Sequence, residues 1–273
     1  HLIRKEAKED EEYVKRFCEE KQIKFYCKSI DVLKLANNNK IGTEEAGRLA
    51  RYQFFEEVMK ETGSHKIAVA HNKNDNVETI MMHFIRGSGT IGLKGMEAKR
   101  ENLIRPLIDC QRYEIEEYCE QKGLNPRIDK TNFDNIYTRN KIRNVVIPYL
   151  QQEFNPNIIE TIDRLAKLVK VEEDYIDKQV QDVYQQIVVK EKKEFGQIIL
   201  NLKKFNQQEK VIKARIILYT ITRLFGNSCG IEKIHIEDIV KLCENNIGNK
   251  FLTPNKKIKV LVKNHQIYFI SQI

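Results

Sequence analysis

An acidic pair, Asp75 and Glu78, lies in a polar segment that follows a short apolar run in the stretch IAVAHNKNDNVETI. In open α/β sheets, ligands bind beyond the carboxyl ends of the strands, where loops and helix N-termini converge. If Ile67–Ala70 is a parallel strand, the acidic pair lies at that position, and two carboxylates there could hold a magnesium ion or a substrate ammonium group. Asp75 or Asn74 could equally cap the following helix, because Asp75-x-x-Glu78 resembles a capping box worth about 1 kcal/mol. Both interpretations are open at this point.

Two pairs of arginines on predicted helices offer positive charge. Arg139 and Arg143 are four residues apart on one helical face, with Lys141 between them and no acidic residue from position 135 to position 152. Stacked like charges repel by a few tenths of a kcal/mol, and an anionic ligand at the helix N-terminus would reverse that sign. We therefore favour phosphate binding over a solvated surface for this pair. For Arg48 and Arg51, solvation or pairing with neighbouring glutamates is the favoured interpretation.

A glycine-rich segment begins with Arg86, Gly87, Ser88 and Gly89 and continues to Gly95. It follows a predicted helix, whereas a dinucleotide-binding fingerprint follows a strand. A helix C-cap followed by a flexible loop is therefore the favoured interpretation of this segment.

The composition bounds the class of protein. The 273 residues with 41% hydrophobic content are enough for one large domain or two modest ones. No apolar run approaches the roughly 20 residues that span a bilayer, and the charged start HLIRKEAKEDEEY lacks an apolar signal core. We expect a cytoplasmic protein without a membrane partner. The six cysteines include no Cys-x-x-Cys pair, which argues against a zinc ribbon or a redox motif.

The positive charge is concentrated at the end of the chain. Residues 190–273 contain 16 Lys or Arg and 7 Asp or Glu, a net charge of +9, whereas residues 1–189 are close to neutral. A basic module beside a near-neutral one is typical of a polyanion-binding domain attached to another domain. A lysine-rich solvated surface is the alternative.

The elements that must position these groups alternate between helix and strand. We predict helices near 6–21, 43–63 and 77–85, with strands near 22–31 and 66–70, a succession typical of an open α/β sheet. Asn155-Pro156-Asn157 marks a boundary, and a long helix over 158–188 follows it. The remainder is predicted to be α+β and to end in a hairpin.

Six blocks in this order resemble the tRNA(Ile)-lysidine synthetase family, part of the PP-loop ATP pyrophosphatase group. They are HLIR near the start, EEAGRLARYQFF at 44–55, AHNKNDNVET at 70–79, RGSGTIGLKGM at 86–96, IRPL at 104–107 and RIDKTNFDNIYTRNKIRNVVIPYL at 127–150. The resemblance implies an α/β fold class. It comprises a truncated Rossmann-like PP-loop ATPase domain over 1–154, a linker helix over 155–190 and a smaller basic α+β tRNA-binding domain over 191–273.

The resemblance also implies an activity. The family uses ATP, with Mg²⁺, to adenylate the wobble cytidine of a tRNA(Ile) that has a CAU anticodon. The amine of free L-lysine then displaces AMP and leaves lysidine, which pairs with adenosine instead of guanosine. A homodimer is a candidate assembly.

Roles for individual residues follow from the same resemblance. The expected catalytic residues are Arg51, Asp75 and Glu78, of which the two acids handle lysine and the arginine faces them across the site. The expected substrate- or phosphate-binding residues are His71, Arg86, Gly87, Ser88, Gly89, Arg139 and Arg143. The expected tRNA-binding residues are Lys141, Lys256, Lys257 and Lys259.

Two departures from the family pattern stand out. The family often has His-His-x-Asp-Asp where this chain has His71-Asn72-Lys73-Asn74-Asp75, and an asparagine cannot supply a second charge to a metal. The metal ligands are therefore left unassigned. The family's Ser-Gly-Gly-x-Asp-Ser loop, which grips pyrophosphate, belongs upstream of His1. We expect these residues to be a portion of a longer gene product that alone neither binds ATP tightly, nor folds fully in its first half, nor is active.

Two other functions are weighed against this one. A tRNA-thiolating PP-loop enzyme would tend to rely on paired cysteines near the site, and Cys110 and Cys119 are not placed in such a motif. A non-catalytic tRNA-binding module fits the basic segment, but it does not call for the acidic pair and Arg51.

Overall fold

The computed structural model describes four stretches of the chain, residues 7–192, 196–228, 230–245 and 250–272. The chain divides into two units, His1–Lys167 and Leu168–Ile273. The boundary between them falls within a long helix. The boundaries expected from the sequence at 154 and 190 stay predictions.

The first unit is mainly helical and contains a small sheet. Its elements are α1 (Ala7–Glu20), α2 (Val32–Asn39), α3 (Thr43–Thr62), β1 (Ile67–Ala68), α4 (Lys73–Ile85), α5 (Gly89–Leu93), β2 (Lys99–Arg100), β3 (Leu103–Ile104), α6 (Arg112–Gln121), a 3₁₀ turn (Lys130–Phe133), α7 (Thr138–Lys141), a π-helical segment (Ile142–Val146), α8 (Ile147–Glu153) and α9 (Ile158–Ile187), which extends into the second unit. The strand order is β1-β3-β2. β1 and β3 run parallel, and β2 pairs with β3 in the antiparallel direction.

A small apolar cluster fixes α4 against the helices that follow it in the chain. Val77 on α4 is fully buried and packs with Ile142, Ile147 and Ile159. These residues come from the π-helical segment, α8 and the first turn of α9. The cluster therefore joins the N-terminal half of α4 to the segment that carries Arg143.

The strand predicted over 22–31 is not formed. The chain leaves α1 and runs without regular secondary structure until Val32 begins α2. Ile23 is 56% exposed, and none of the described strands pairs with this segment. An alternating apolar pattern gives a strand only where a neighbour takes up its backbone hydrogen bonds, and none of the described strands does so here.

The second unit is built on an antiparallel sheet. Its elements after α9 are β4 (Val188–Lys192), β5 (Gln197–Asn201), α10 (Leu202–Asn206), α11 (Lys210–Phe225), α12 (Lys233–Asn245), β6 (Lys250–Asn255), β7 (Ile258–Lys263) and β8 (Gln266–Ser271). The strand order is β4-β5-β8-β7-β6. Alternate residues of the inner strands, such as Val260 and Phe269, are fully buried against α9, α11 and α12, as expected for a sheet covered on one face.

The prediction of an α/β first half followed by a separate α+β part is confirmed. Within the described residues, none of the helices combines the length and the apolar character that crossing a bilayer requires.

Candidate active site

The polar segment after β1 forms the N-terminus of α4. Asn72 is the N-cap, and its side-chain oxygen accepts a hydrogen bond from the backbone N–H of Asp75 at 3.0 Å. Asp75 Oδ2 in turn accepts from the backbone N–H of Asn72 at 3.1 Å. The helix therefore begins with a capping box. Asn72 is the cap, whereas the sequence interpretation considered Asn74 or Asp75 for that position. Asn74 instead accepts a hydrogen bond from the backbone N–H of Arg112 at 2.9 Å.

Asp75 and Glu78 also form an ion-pair cluster with Arg139 and Arg143, called the acid–arginine cluster below. Glu78 is only 1% exposed. Arg143 binds it with two hydrogen bonds, Nε to Oε1 at 2.6 Å and Nη2 to Oε2 at 2.7 Å, and Arg139 Nε donates to Oε2 at 2.8 Å. Asp75 Oδ1 lies 3.0 Å from Arg143 Nη2 and 3.2 Å from Arg139 Nη2. Two carboxylates and two guanidinium groups thus neutralise one another in a partly buried site.

Helical spacing places the two arginines on the same pair of acids. Arg139 lies on α7 and Arg143 on the π-helical segment that continues it. The π-helical segment is held from outside the helix, because Asn144 Nδ2 donates to the carbonyl of Asn132 at 2.8 Å. Such π-helical turns are frequent at functional sites. The repulsion expected between the stacked arginines is relieved here by Asp75 and Glu78, and their binding to phosphate stays a prediction.

The neighbouring carboxylates favour the charged form of Arg143. Burial lowers the pKa of Arg143, but its hydrogen bond to Glu78 and the charges of Glu78 and Asp75 outweigh that effect and raise the pKa overall. Arg112 Nη2 lies 3.8 Å from Asp75 Oδ1 and adds a further positive charge at the rim. With this third arginine, the local charge is net positive.

Arg112 is a site neighbour that the sequence interpretation missed. It begins α6, and its backbone is tied to Asn74. Nothing in its spacing relates it to Asp75, because the contact depends on how two distant segments pack. Asn74, interpreted from the sequence as a candidate cap and as a departure from a family pattern, was the available signal.

The other residues predicted for the site are placed as follows. Arg51 is exposed on α3, and among the described residues it forms no hydrogen bond or ion pair with Asp75 or Glu78. Arg86–Gly89 is exposed at the C-terminal end of α4, about 16 Å along the helix from Asp75 at 1.5 Å per residue. Lys141 is exposed on α7. The roles proposed for these residues stay predictions.

The glycine-rich segment returns toward the acids only at its far end. Gly89–Leu93 forms the short helix α5, so the loop expected there is partly wrong. The backbone N–H of Met96 donates to Asn76 Oδ1 at 2.6 Å. Gly95 has φ +69°, and a Cβ at this position would lie 2.5 Å from the same oxygen. A glycine is therefore required where this segment meets the first turns of α4.

His71 lies between β1 and the cap and is surrounded by charged groups. Its Nδ1 atom is buried and has no hydrogen-bond partner among the described residues. Burial lowers the pKa of His71 below its ordinary value of 6.5. The charge of Asp75 opposes this shift, and Arg105, Arg139 and Arg48 reinforce it. His71 is therefore neutral at pH 7.

The lowered pKa predicts a pH-dependent stability. Below pH 6.5 the unfolded chain binds a proton at His71 that the folded chain does not yet bind, so the free energy of unfolding falls as the pH drops through the lowered pKa. We expect His71→Asn to remove this component, measured by urea unfolding between pH 7.5 and 5. His65→Asn, at an exposed histidine of the same unit, is the control and should keep the wild-type pH dependence. An identical pH dependence in His71→Asn and wild type would contradict the assignment.

The acids do not form a metal site in this arrangement. Both oxygens of Asp75 and both oxygens of Glu78 accept hydrogen bonds from guanidinium or backbone N–H groups. In the part of the chain that the structure describes, no three His, Cys, Asp or Glu side chains cluster so as to hold a metal. The chemistry proposed below therefore uses no metal bound by Asp75 or Glu78.

Comparison with known proteins matches the chain to one domain family and to several proteins that share one name. Residues 1–150 match the family model described as PP-loop domain. The chain is 42% identical over its full length to tRNA(Ile)-lysidine synthase of Clostridioides difficile strain 630, covering 59% of that protein. Proteins of the same name from Clostridium acetobutylicum and Clostridium tetani are 44% and 43% identical over 93% and 96% of the chain, and 55% of each is covered. The chain therefore spans less than two thirds of the length of these relatives.

Proposed function

Since this chain belongs to the PP-loop domain family, we propose that it forms the lysine- and nucleotide-handling part of a tRNA(Ile)-lysidine synthase. The observation that carries the proposal is the acid–arginine cluster. Two acids lie in the first turns of α4, beyond the carboxyl end of β1. They form ion pairs with two arginines that follow more than 60 positions later in the chain. The names of the similar proteins support the same reaction.

The proposed reaction has two steps. An oxygen of the wobble cytidine attacks the α-phosphorus of ATP, and pyrophosphate leaves. The amine of lysine then attacks the activated carbon of the base, AMP leaves with the oxygen, and the amine gives up a proton. Adenylation thus converts a poor leaving oxygen into a good one, and the lysine amine must be held close to the base.

The acid–arginine cluster suggests how the substrates are accommodated. In its present state each acid is already bound by guanidinium groups, so a lysine ammonium must compete with Arg139 and Arg143 for Asp75 and Glu78. ATP phosphates are the natural alternative partners for the arginines, because guanidinium binds phosphate as readily as carboxylate. We propose that the arginines turn toward the nucleotide as the acids receive lysine, an exchange that leaves no charge unpaired.

The use of ATP and Mg²⁺, the site of action in the cell and the oligomeric state belong to the same proposal. ATP use follows from the family, and Mg²⁺ would accompany the nucleotide phosphates. A cytoplasmic site of action and a homodimer stay predictions.

A transfer assay tests the proposed function. The intact enzyme is incubated with ATP, labelled lysine and a tRNA(Ile) transcript that has a CAU anticodon. We expect ATP-dependent incorporation of lysine, with release of pyrophosphate and AMP. A matched transcript with uridine at the wobble position should accept none. A failure to label the CAU transcript would contradict the function.

We propose that the second unit contacts tRNA through the β6–β7 hairpin. Lys256 and Lys257 are exposed in its turn, and Lys259 Nζ lies 4.2 Å from the centre of the Phe251 ring. Phe251 is itself 54% exposed. Cations beside an exposed aromatic ring suit a nucleic-acid backbone with an unstacked base.

Replacing the three hairpin lysines together should weaken tRNA binding in a salt-dependent way. Each phosphate contact contributes about 0.7–0.9 to the slope of log affinity against log salt, so the triple glutamine variant should lower that slope by about 2–3. The measurement is filter binding at several salt concentrations. A control variant removes the same charge at three exposed lysines of the first unit, Lys15, Lys34 and Lys60. An unchanged affinity and slope in the hairpin variant would remove the hairpin from the interface.

A further inference from the structure

Arg105 is a buried cation that the proposed reaction has not used. It follows β3 directly and is only 9% exposed. Its Nη1 donates to the carbonyl of Glu97 at 2.6 Å. Its Nε is buried without a hydrogen-bond partner, and among the described residues no carboxylate forms an ion pair with it.

An unsatisfied guanidinium in this position is costly. Arginine stays protonated in proteins, and a buried charge that lacks a partner is strongly destabilising. Because Glu97 occupies Nη1, the edge formed by Nε and Nη2 is left without a described hydrogen bond. That edge presents two parallel N–H donors, which match the two oxygens of a carboxylate or a phosphate.

The location of Arg105 agrees with a ligand site. The backbone N–H of Val69 donates to the carbonyl of Ile104 at 3.0 Å, so the carboxyl ends of β1 and β3 lie side by side. His71 extends from the first of these ends and Arg105 from the second, and each has a buried nitrogen without a partner. Ligands of open α/β sheets bind at this edge. The two orphaned nitrogens are independent observations at one place.

A chemical requirement of the reaction points to the same residue. Lysine carries a carboxylate as well as ammonium groups, and ATP carries phosphates. Asp75 and Glu78 complement only the ammonium groups. Arg139 and Arg143 are the partners proposed above for the nucleotide, which leaves the lysine carboxylate, or a further phosphate oxygen, without a cation. Arg105 is a buried cation that no described acid neutralises.

We propose that the Nε–Nη2 edge of Arg105 binds an oxyanion of a substrate, either the carboxylate of lysine or a phosphate of ATP. This inference rests on the proposed function. It adds a binding residue from the carboxyl end of β3 to the acid–arginine cluster on α4, α7 and the π-helical segment.

The test compares Arg105→Gln with wild type in the intact enzyme. KM is measured for lysine and for ATP, and 1,5-diaminopentane, which is lysine without its carboxylate, replaces lysine as a probe. Loss of a charged hydrogen-bonding partner should raise one KM about 10- to 100-fold and leave the other within about threefold. If the ligand is the carboxylate, the lysine KM rises and the rate with 1,5-diaminopentane does not change. If the ligand is a phosphate, the ATP KM rises instead.

Three controls keep the inference separable from folding and from the proposed function. Arg105→Lys retains the charge but not the forked donors, so it should recover part of the affinity that Arg105→Gln loses. If Arg105→Gln does not fold, Arg105→Lys takes its place in the comparison with wild type. Arg100→Gln, at an exposed arginine of β2, should behave as wild type. Calorimetric binding of lysine and ATP gives a readout that does not need turnover. If both affinities stay within about threefold of wild type in a folded Arg105 variant, Arg105 is structural and the inference is overturned. An absence of lysine transfer by wild type would instead refute the proposed function.

Discussion

Replacing Glu78 by alanine is expected to destabilise the first unit by about 3–5 kcal/mol, because it leaves two guanidinium groups in a partly buried site without their main partner. Glu78 is 1% exposed and accepts three guanidinium hydrogen bonds from Arg139 and Arg143. Asp75 alone cannot neutralise both arginines. Glu78→Gln should cost less, since it keeps an acceptor oxygen in place.

Urea unfolding followed by circular dichroism measures this loss. Glu116→Ala, at an exposed glutamate within α6, is the matched control and should change the free energy of unfolding by less than about 0.5 kcal/mol. Glu78→Ala combined with Arg143→Ala should cost less than the sum of the two single variants, by about 0.5–3 kcal/mol, because both remove the same pair. Strict additivity would mean that the ion pair contributes nothing to stability.

The residues of the acid–arginine cluster were identifiable from the sequence, but their contacts were not. Asp75 and Glu78 were notable for their place after an apolar strand, and Arg139 and Arg143 for their helical spacing without nearby acids. Each pair was interpreted separately, with a metal, an ammonium group or a phosphate as its partner. That the two pairs neutralise each other depends on the packing of Val77 against Ile142, which spacing along the chain does not encode.

Local hydrogen bonding decided several details that residue type left open. Asn72, Asn74 and Asp75 are all common at helix N-termini, and only the backbone geometry makes Asn72 the cap. The alternation of Ile23, Phe25 and Cys27 fitted a strand but lacks a described neighbour. Helix limits fixed by strong signals were predictable, as at Gly63, where a left-handed C-cap ends α3.

Changing Asp75 to asparagine should have a large effect on the chemistry. Asparagine keeps an oxygen that Arg139 and Arg143 can bind, so the fold should survive at a cost of about 1 kcal/mol for the weakened capping box. The substitution removes one of the two negative charges of the acid–arginine cluster, so an incoming lysine ammonium meets a site that is more positive than in wild type. Losing a charged hydrogen bond worth about 1.5–3 kcal/mol should slow lysine transfer about 10- to 100-fold.

Adenylation should respond differently to this substitution. It precedes lysine attack and, as we propose, depends on the arginines more than on the acids. We therefore expect the rate of pyrophosphate release to stay within about threefold of wild type. Asp109→Asn is the matched control, because Asp109 has a 72% exposed side chain paired with Lys167 and lies outside the acid–arginine cluster.

A single-turnover experiment with the intact enzyme, ATP, labelled lysine and the CAU transcript measures both steps at once. For Asp75→Asn we predict near-normal pyrophosphate release, a 10- to 100-fold slower incorporation of lysine, and an adenylated tRNA that accumulates between the two steps. Wild-type and Asp109→Asn enzymes should incorporate lysine at the same rate. Incorporation by Asp75→Asn at the wild-type rate would contradict the claim that the acids held by Arg139 and Arg143 are the lysine-handling groups.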